Sequence, residues 1–125
     1  MDVASAHLRY LYAIYELSKT TPDVGCAALA RALDVTKPSV TWMLDTLMEK
    51  HLVIKKRYGK IYLTDEGYLL ARDFDRRVEL LAARIPLMEL ALTPEEVHAA
   101  ARAMAEAVPG VGKEGLRHDQ NDTGH

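Results

Sequence analysis

A chain of 125 residues, 49% of them apolar, carries enough hydrocarbon for one core and fits a single domain of ordinary size. Its one cysteine, Cys26, excludes an internal disulfide and any C-x-x-C metal or redox pair, and is read as a reduced, buried thiol. The formal charge of −2 argues against a general polyanion binder; with no secretory leader pattern and no run near the ~18 apolar residues of a membrane span, the expected compartment is the cytoplasm.

Helical periodicity dominates the chain. Leu8, Leu11, Tyr12 and Tyr15, widened by Ile14, recur at spacings of three and four, which predicts an amphipathic helix from about Val3 to Lys19. "TTPDVG" breaks it. CAALARAL follows as a short second helix, and "DVTKP" leaves room only for a tight turn before a third. Thr36 is the expected N-cap of that third helix, with Pro38 in the first turn, where a missing N–H is harmless. Val40, Met43, Leu44 and Leu47 mark its buried face. Trp42 lies about 200° from Val40 on a helical wheel, so it falls on the outward face with Thr36 and Ser39.

HLVIKK and KIYLT are two short β-forming runs joined by Arg57, Tyr58 and Gly59, the glycine being free to adopt a left-handed conformation. They predict a small basic hairpin. Thr64 then caps a fourth helix, with Asp65 and Glu66 where acids favour the helix dipole. Leu70, Phe74, Val78, Leu81 and Ile85 carry its stripe to Pro86, and Leu69 and Leu80 widen that stripe beyond what one small core needs. Thr93, Pro94, Glu95 and Glu96 form a capping box for a fifth helix, whose apolar edge is Val97, Ala101, Met104 and Val108. The polar, glycine-rich remainder lacks periodicity. The expected organisation is a DNA-binding region over 1–64, linking or dimerising helices over 65–108 and a disordered tail over 109–125.

Three helices, a two-stranded wing and a long helix make a mostly α winged helix-turn-helix. In such a module the third helix enters the DNA major groove and the wing reaches the adjacent backbone. The charge distribution agrees: Arg31 to Tyr62 carries a net +4, whereas Glu89 to the C-terminus carries −4. Lys37 starts the third helix, and Lys55, Lys56, Arg57 and Lys60 lie in the wing, where phosphates need neutralising. The alternative is an adaptor that binds protein partners, with Trp42 as its interface anchor.

The stretch "VTKPSVTWMLDTLMEKHLVIKKRYGKIYLTDEGYLLA", the "VELL" at Val78 to Leu81 and the later "LTPEEVH" resemble the iron- and manganese-dependent repressors of the diphtheria-toxin-repressor and manganese-transport-regulator type. The resemblance covers about residues 7 to 108 and implies a homodimeric transcription regulator of double-stranded DNA. It also implies that Thr36, Pro38, Ser39 and Trp42 occupy positions from which the recognition helix reaches bases or phosphates. Family members usually carry a polar residue where Trp42 stands. An indole there could pack on a thymine methyl; the opposing view has it folded back over its own helix or against another protein.

In the same family a divalent metal couples the first helix to the fourth and fifth. At the ligand positions of the manganese branch this chain has Arg9, Tyr12, Val78, Arg102, Ala105 and Glu106, of which only Glu106 is a donor. His98 coincides with an auxiliary ligand of the iron branch, but Val78 and Ala82 stand at that site's other positions. One histidine and one carboxylate do not make a first coordination sphere, and guanidinium cations repel a dication. No cofactor is therefore expected; manganese or iron would enter only through a non-standard set such as His7, His98 and Glu106. A further expectation is that Arg9 or Arg102 pairs with Glu106 in place of the metal, against the simpler reading of an exposed Arg102–Glu106 pair one helical turn apart. No glycine-rich phosphate loop or Ser-His-Asp pattern suggests catalysis, and the expected answer for an enzyme is no.

Overall fold

A computed structural model describes residues 4–112. Its elements are α1 (Ser5–Thr20), α2 (Cys26–Leu33), α3 (Lys37–Glu49), β1 (Val53–Lys55), β2 (Ile61–Leu63), α4 (Asp65–Arg84) and α5 (Pro94–Ala107), with 3-10 turns at Arg57–Gly59 and Ile85–Met88. This is the mostly helical winged helix-turn-helix that the periodicities predict. Backbone contacts divide the chain into two units, 1–73 and 74–125, with the division inside α4.

The first unit is built around a core to which every one of its elements contributes. Leu11 and Ile14 of α1, Leu29 of α2, Val40, Leu44 and Leu47 of α3, Val53 and Ile61 of the wing and Ala71 of α4 are all essentially buried. At roughly 1.5–3 kcal/mol per large aliphatic side chain, this burial is the main term holding the unit together. Tyr10 is buried as well, although it lies off the predicted stripe. Cys26 is half-buried rather than buried, because it opens α2 at the margin of the core.

Local chemistry fixes the turns between these elements. Asp34 ends α2 in the left-handed region (φ 54°), its N–H bonded to the carbonyls of Ala30 and Arg31. Thr36 caps α3 as expected, accepting from the Ser39 N–H at 3.3 Å, with proline in the first turn. After α3, His51 is left-handed (φ 59°), and Leu52 turns inward to full burial while its N–H reaches the Leu47 carbonyl at 2.9 Å. The strands then pair antiparallel in the register Val53–Leu63, Ile54–Tyr62 and Lys55–Ile61. A further bond, from the Ile61 N–H to the Val24 carbonyl (2.9 Å), ties the wing to the segment between α1 and α2.

Thr64 joins the wing to α4 through three hydrogen bonds. Its N–H donates to the Leu52 carbonyl (3.1 Å), its hydroxyl donates to the His51 carbonyl (2.7 Å), and the same oxygen accepts from the Gly67 N–H (3.1 Å). The T-x-x-G pattern is thus a capped helix start pressed against the end of α3.

In the second unit Phe74, Val78, Leu81 and Ile85 of α4 are buried, as are Val97, Ala101 and Ala105 of α5. The expected edge of α5 is corrected here. Met104 and Val108 are largely exposed, and the inward row is 97, 101 and 105, a strict spacing of four. The capping box at Thr93 and Glu96 is present in both directions. Arg77, 1% exposed, sends Nε to the Val111 carbonyl (2.9 Å) and Nη2 to the carbonyls of Ala105 (2.7 Å) and Val108 (3.2 Å). A guanidinium therefore closes the end of α5, where carbonyls lack intrahelical partners and the dipole is negative. The expectation of a disordered tail over 109–125 is corrected at 109–112, which form turns packed by this contact; the rest, 113–125, lies outside the described residues.

Candidate nucleic-acid interface

The start of α3 presents one outward face. Thr36, Lys37, Pro38, Ser39 and Trp42 are all exposed, opposite the buried row Val40, Met43, Leu44 and Leu47. The Thr36 and Ser39 hydroxyls lie 2.9 Å apart and share a hydrogen bond, leaving lone pairs and the lysine beside them open to solvent. Trp42 is 67% exposed, so it does not fold back over its own helix. The indole is left in water on the side of α3 opposite the row that fills the core.

The wing supplies the second part. Lys55, Lys56 and Arg57 are exposed, and the Lys56 ammonium lies 5.2 Å from the centre of the Tyr62 ring. Between Lys56 and Lys60 the chain closes with a Lys56 N–H to Lys60 carbonyl bond (2.7 Å) and a Gly59 N–H to Lys56 carbonyl bond (3.2 Å). Gly59 takes the left-handed conformation predicted for it (φ 74°). So does Tyr58 (φ 64°, ψ 21°), which no feature of the local sequence announces; its ring is 96% exposed.

Lys60 differs from the other wing cations. Its ammonium donates to the Asp23 carboxylate at 2.9 Å, and that hydrogen bond, reinforced by the acid's charge, raises the lysine above its ordinary pKa. Asp23 precedes Val24, whose carbonyl accepts from the Ile61 N–H, so the ion pair sits where the chain leaves the wing's turn and enters β2. Sequence reasoning missed this partnership because the two residues are far apart in the chain.

Apart from Glu106 and His98, the positions at which the resemblance places metal ligands hold side chains of the wrong chemistry. In the first unit Arg9 is exposed and Tyr12 is buried; in the second Val78 and Ala105 are buried hydrocarbon, Arg102 and His98 are exposed and Glu106 is half-buried. A buried valine and a buried alanine offer no lone pair to a metal ion, so this set does not fit the family's manganese or iron site.

Residues 4–61, from α1 to the first residue of β2, match the family model described as the iron dependent repressor N-terminal DNA binding domain. Solved structures extend the likeness beyond the repressor domain. The manganese regulator SloR is 28% identical with a TM-score of 0.72, over 97% of this chain and 55% of that one. The manganese-activated repressor ScaR in its apo form is 29% identical with a TM-score of 0.68, over 90% and 52%. IdeR of T. acidophilum, at 24% identity and a TM-score of 0.72 over 100% and 56%, shares the fold. The chain spans about half the length of these solved relatives. No curated protein sequence is significantly similar to it. Among the described residues, no helix is long and apolar enough to cross a membrane.

Proposed function

We propose that this chain is a cytoplasmic, homodimeric, non-enzymatic transcription regulator that binds double-stranded DNA without the metal its relatives use. The observation that carries the reading is the solvent-facing start of α3, where Thr36, Lys37, Pro38, Ser39 and a 67% exposed Trp42 project from a repressor-type DNA-binding domain. α3 enters the major groove. There Lys37 and the Thr36 and Ser39 hydroxyls take phosphates or base edges, and Trp42 packs on an apolar feature such as a thymine methyl. Lys55, Lys56 and Arg57 neutralise phosphates beside the groove. Lys60 adds less, since Asp23 already holds its charge.

Metal independence is supported by the donor chemistry. Val78 and Ala105 in particular replace any ligand with buried hydrocarbon. Dimerisation is supported by an apolar ledge in the second unit, where Leu87 (77% exposed), Met88 (61%) and Leu90 (55%) follow α4 next to a cleft of about 490 Å³ lined by Ile85, Leu92 and Val97 among others. Exposed apolar side chains grouped in this way fit an interaction site, and a second copy is the partner that the family resemblance implies.

The deciding experiment selects duplexes from a random pool with and without chelator, then titrates salt against the best binder. The proposed regulator yields a consensus unaffected by chelator and a log K that falls by roughly 0.9 per neutralised phosphate. Trp42→Ala weakens the selected duplex by about 1–3 kcal/mol while leaving the melting temperature unchanged. Recovery of no duplex at low salt would instead favour the adaptor reading, and collapse of binding in chelator with rescue by manganese or iron would overturn metal independence.

A further inference from the structure

The wing ends on a bulky residue in a backbone conformation that bulky residues avoid. Tyr58 sits at φ 64° and ψ 21°, in the left-handed region where a Cβ crowds the following carbonyl, and its ring is 96% exposed. The ring therefore recovers nothing from packing against the fold. Glycine carries no such steric cost, and the next residue, Gly59, takes a similar φ of 74°. A strained, protruding aromatic at the tip of a cationic hairpin is the pattern of a residue kept for contact with a partner.

We infer that Tyr58 is a specificity-determining DNA contact that enters the minor groove flanking the major groove occupied by α3. The inference rests on the DNA-binding reading above and deepens it. Along a duplex the groove next to a major groove is a minor groove, bounded on both sides by phosphates. Lys55, Lys56 and Arg57 lead directly to Tyr58 and are exposed; on a bound duplex these cations would meet the phosphates while the ring enters between them. The minor groove distinguishes base pairs chiefly by the guanine N2 amino group, which fills its floor at G·C pairs. A ring lowered into the groove meets that amino group at G·C and open space, with the adenine N3 and thymine O2 acceptors, at A·T. Tyr58 therefore favours A·T pairs beneath the wing, independently of the bases read by α3.

The test uses the full chain and the duplex recovered by selection, with the base pairs under the wing changed to A·T, G·C or inosine·C. Inosine lacks the N2 amino group but keeps the major-groove face of guanine. The wild-type protein binds the A·T and inosine·C duplexes alike and the G·C duplex several-fold more weakly. Tyr58→Gly loses that preference and about five- to a hundredfold of affinity for the A·T duplex, yet melts at the same or a higher temperature because the strain is gone. Retention of both affinity and preference by Tyr58→Gly, or equal binding of the three duplexes by the wild type, overturns the inference while leaving DNA binding intact. Failure of the wild type to bind any duplex removes the underlying reading as well.

Discussion

The Leu52 carbonyl oxygen occupies the space that a side chain on Gly67 would need. The two are brought together by Thr64, which bonds Leu52, His51 and Gly67 at once and lays the first turn of α4 against the end of α3. The neighbour is backbone, not the end of a flexible side chain, so no rotamer change can relieve the overlap. Gly67→Ala should destabilise the protein by about 3 kcal/mol, the upper part of the range for overpacking, read as a lowered denaturation midpoint. An unchanged midpoint would show that the α3–α4 contact is looser than described.

Arg77 should prove as important to the second unit. Replacing it with Met keeps the apolar stem but leaves the carbonyls of Ala105, Val108 and Val111 without this donor. A loss of about 2–3 kcal/mol is expected for charged hydrogen bonds at a buried site. Hydrogen exchange should quicken first at the last turn of α5; uniform protection across α5 in the variant would contradict the capping role.

The Asp23–Lys60 pair gives a prediction of opposite sign. Asp23→Asn removes the acid that holds the Lys60 ammonium and frees a cation at the turn end of the wing. Affinity for the selected duplex should rise, and the slope of log K against log salt should steepen by about 0.9 for one more phosphate contact. In the wild-type background Lys60→Gln should change the slope by much less than Lys56→Gln does.

His7 makes the protein sensitive to acid. Its Nδ1 is buried without a hydrogen-bond partner among the described residues, and burial, followed by the positive charge of Lys50, lowers its pKa below 6.5. Because the folded-state value is the lower one, the unfolded chain binds more protons between the two values. The stability due to neutral His7 is therefore complete above about 6.5 and is lost as pH falls through the depressed folded value. Thermal melts from pH 7.5 to 5 should show the decline, and His7→Asn should flatten it.

Much of this was legible from local pattern. The Thr36 cap, the buried row of α3, the left-handed Gly59 and the Thr93 capping box each depend on residues within a few positions of one another, where propensity and periodicity act. What escaped the sequence depends on distant partners. Arg77 looks like any charged residue on a long helix until the end of α5 arrives to meet it, and Lys60 looks like a phosphate ligand until Asp23 is found beside it. The inward turn of Ala105 was hidden for another reason: a small residue gives little hydrophobic signal, and the larger Met104 beside it drew the predicted edge to the wrong side. The outward Trp42 followed from the helical wheel alone, whereas the left-handed Tyr58 required backbone coordinates.

The bond between Ile61 and Val24 anchors the turn end of the wing's strands, which are only three residues long. The segment from Lys56 to Lys60 closes through its own backbone hydrogen bonds, with Lys60 ion-paired to Asp23. Tips of other composition could be exchanged there as interchangeable heads on a common handle, while folding is left alone.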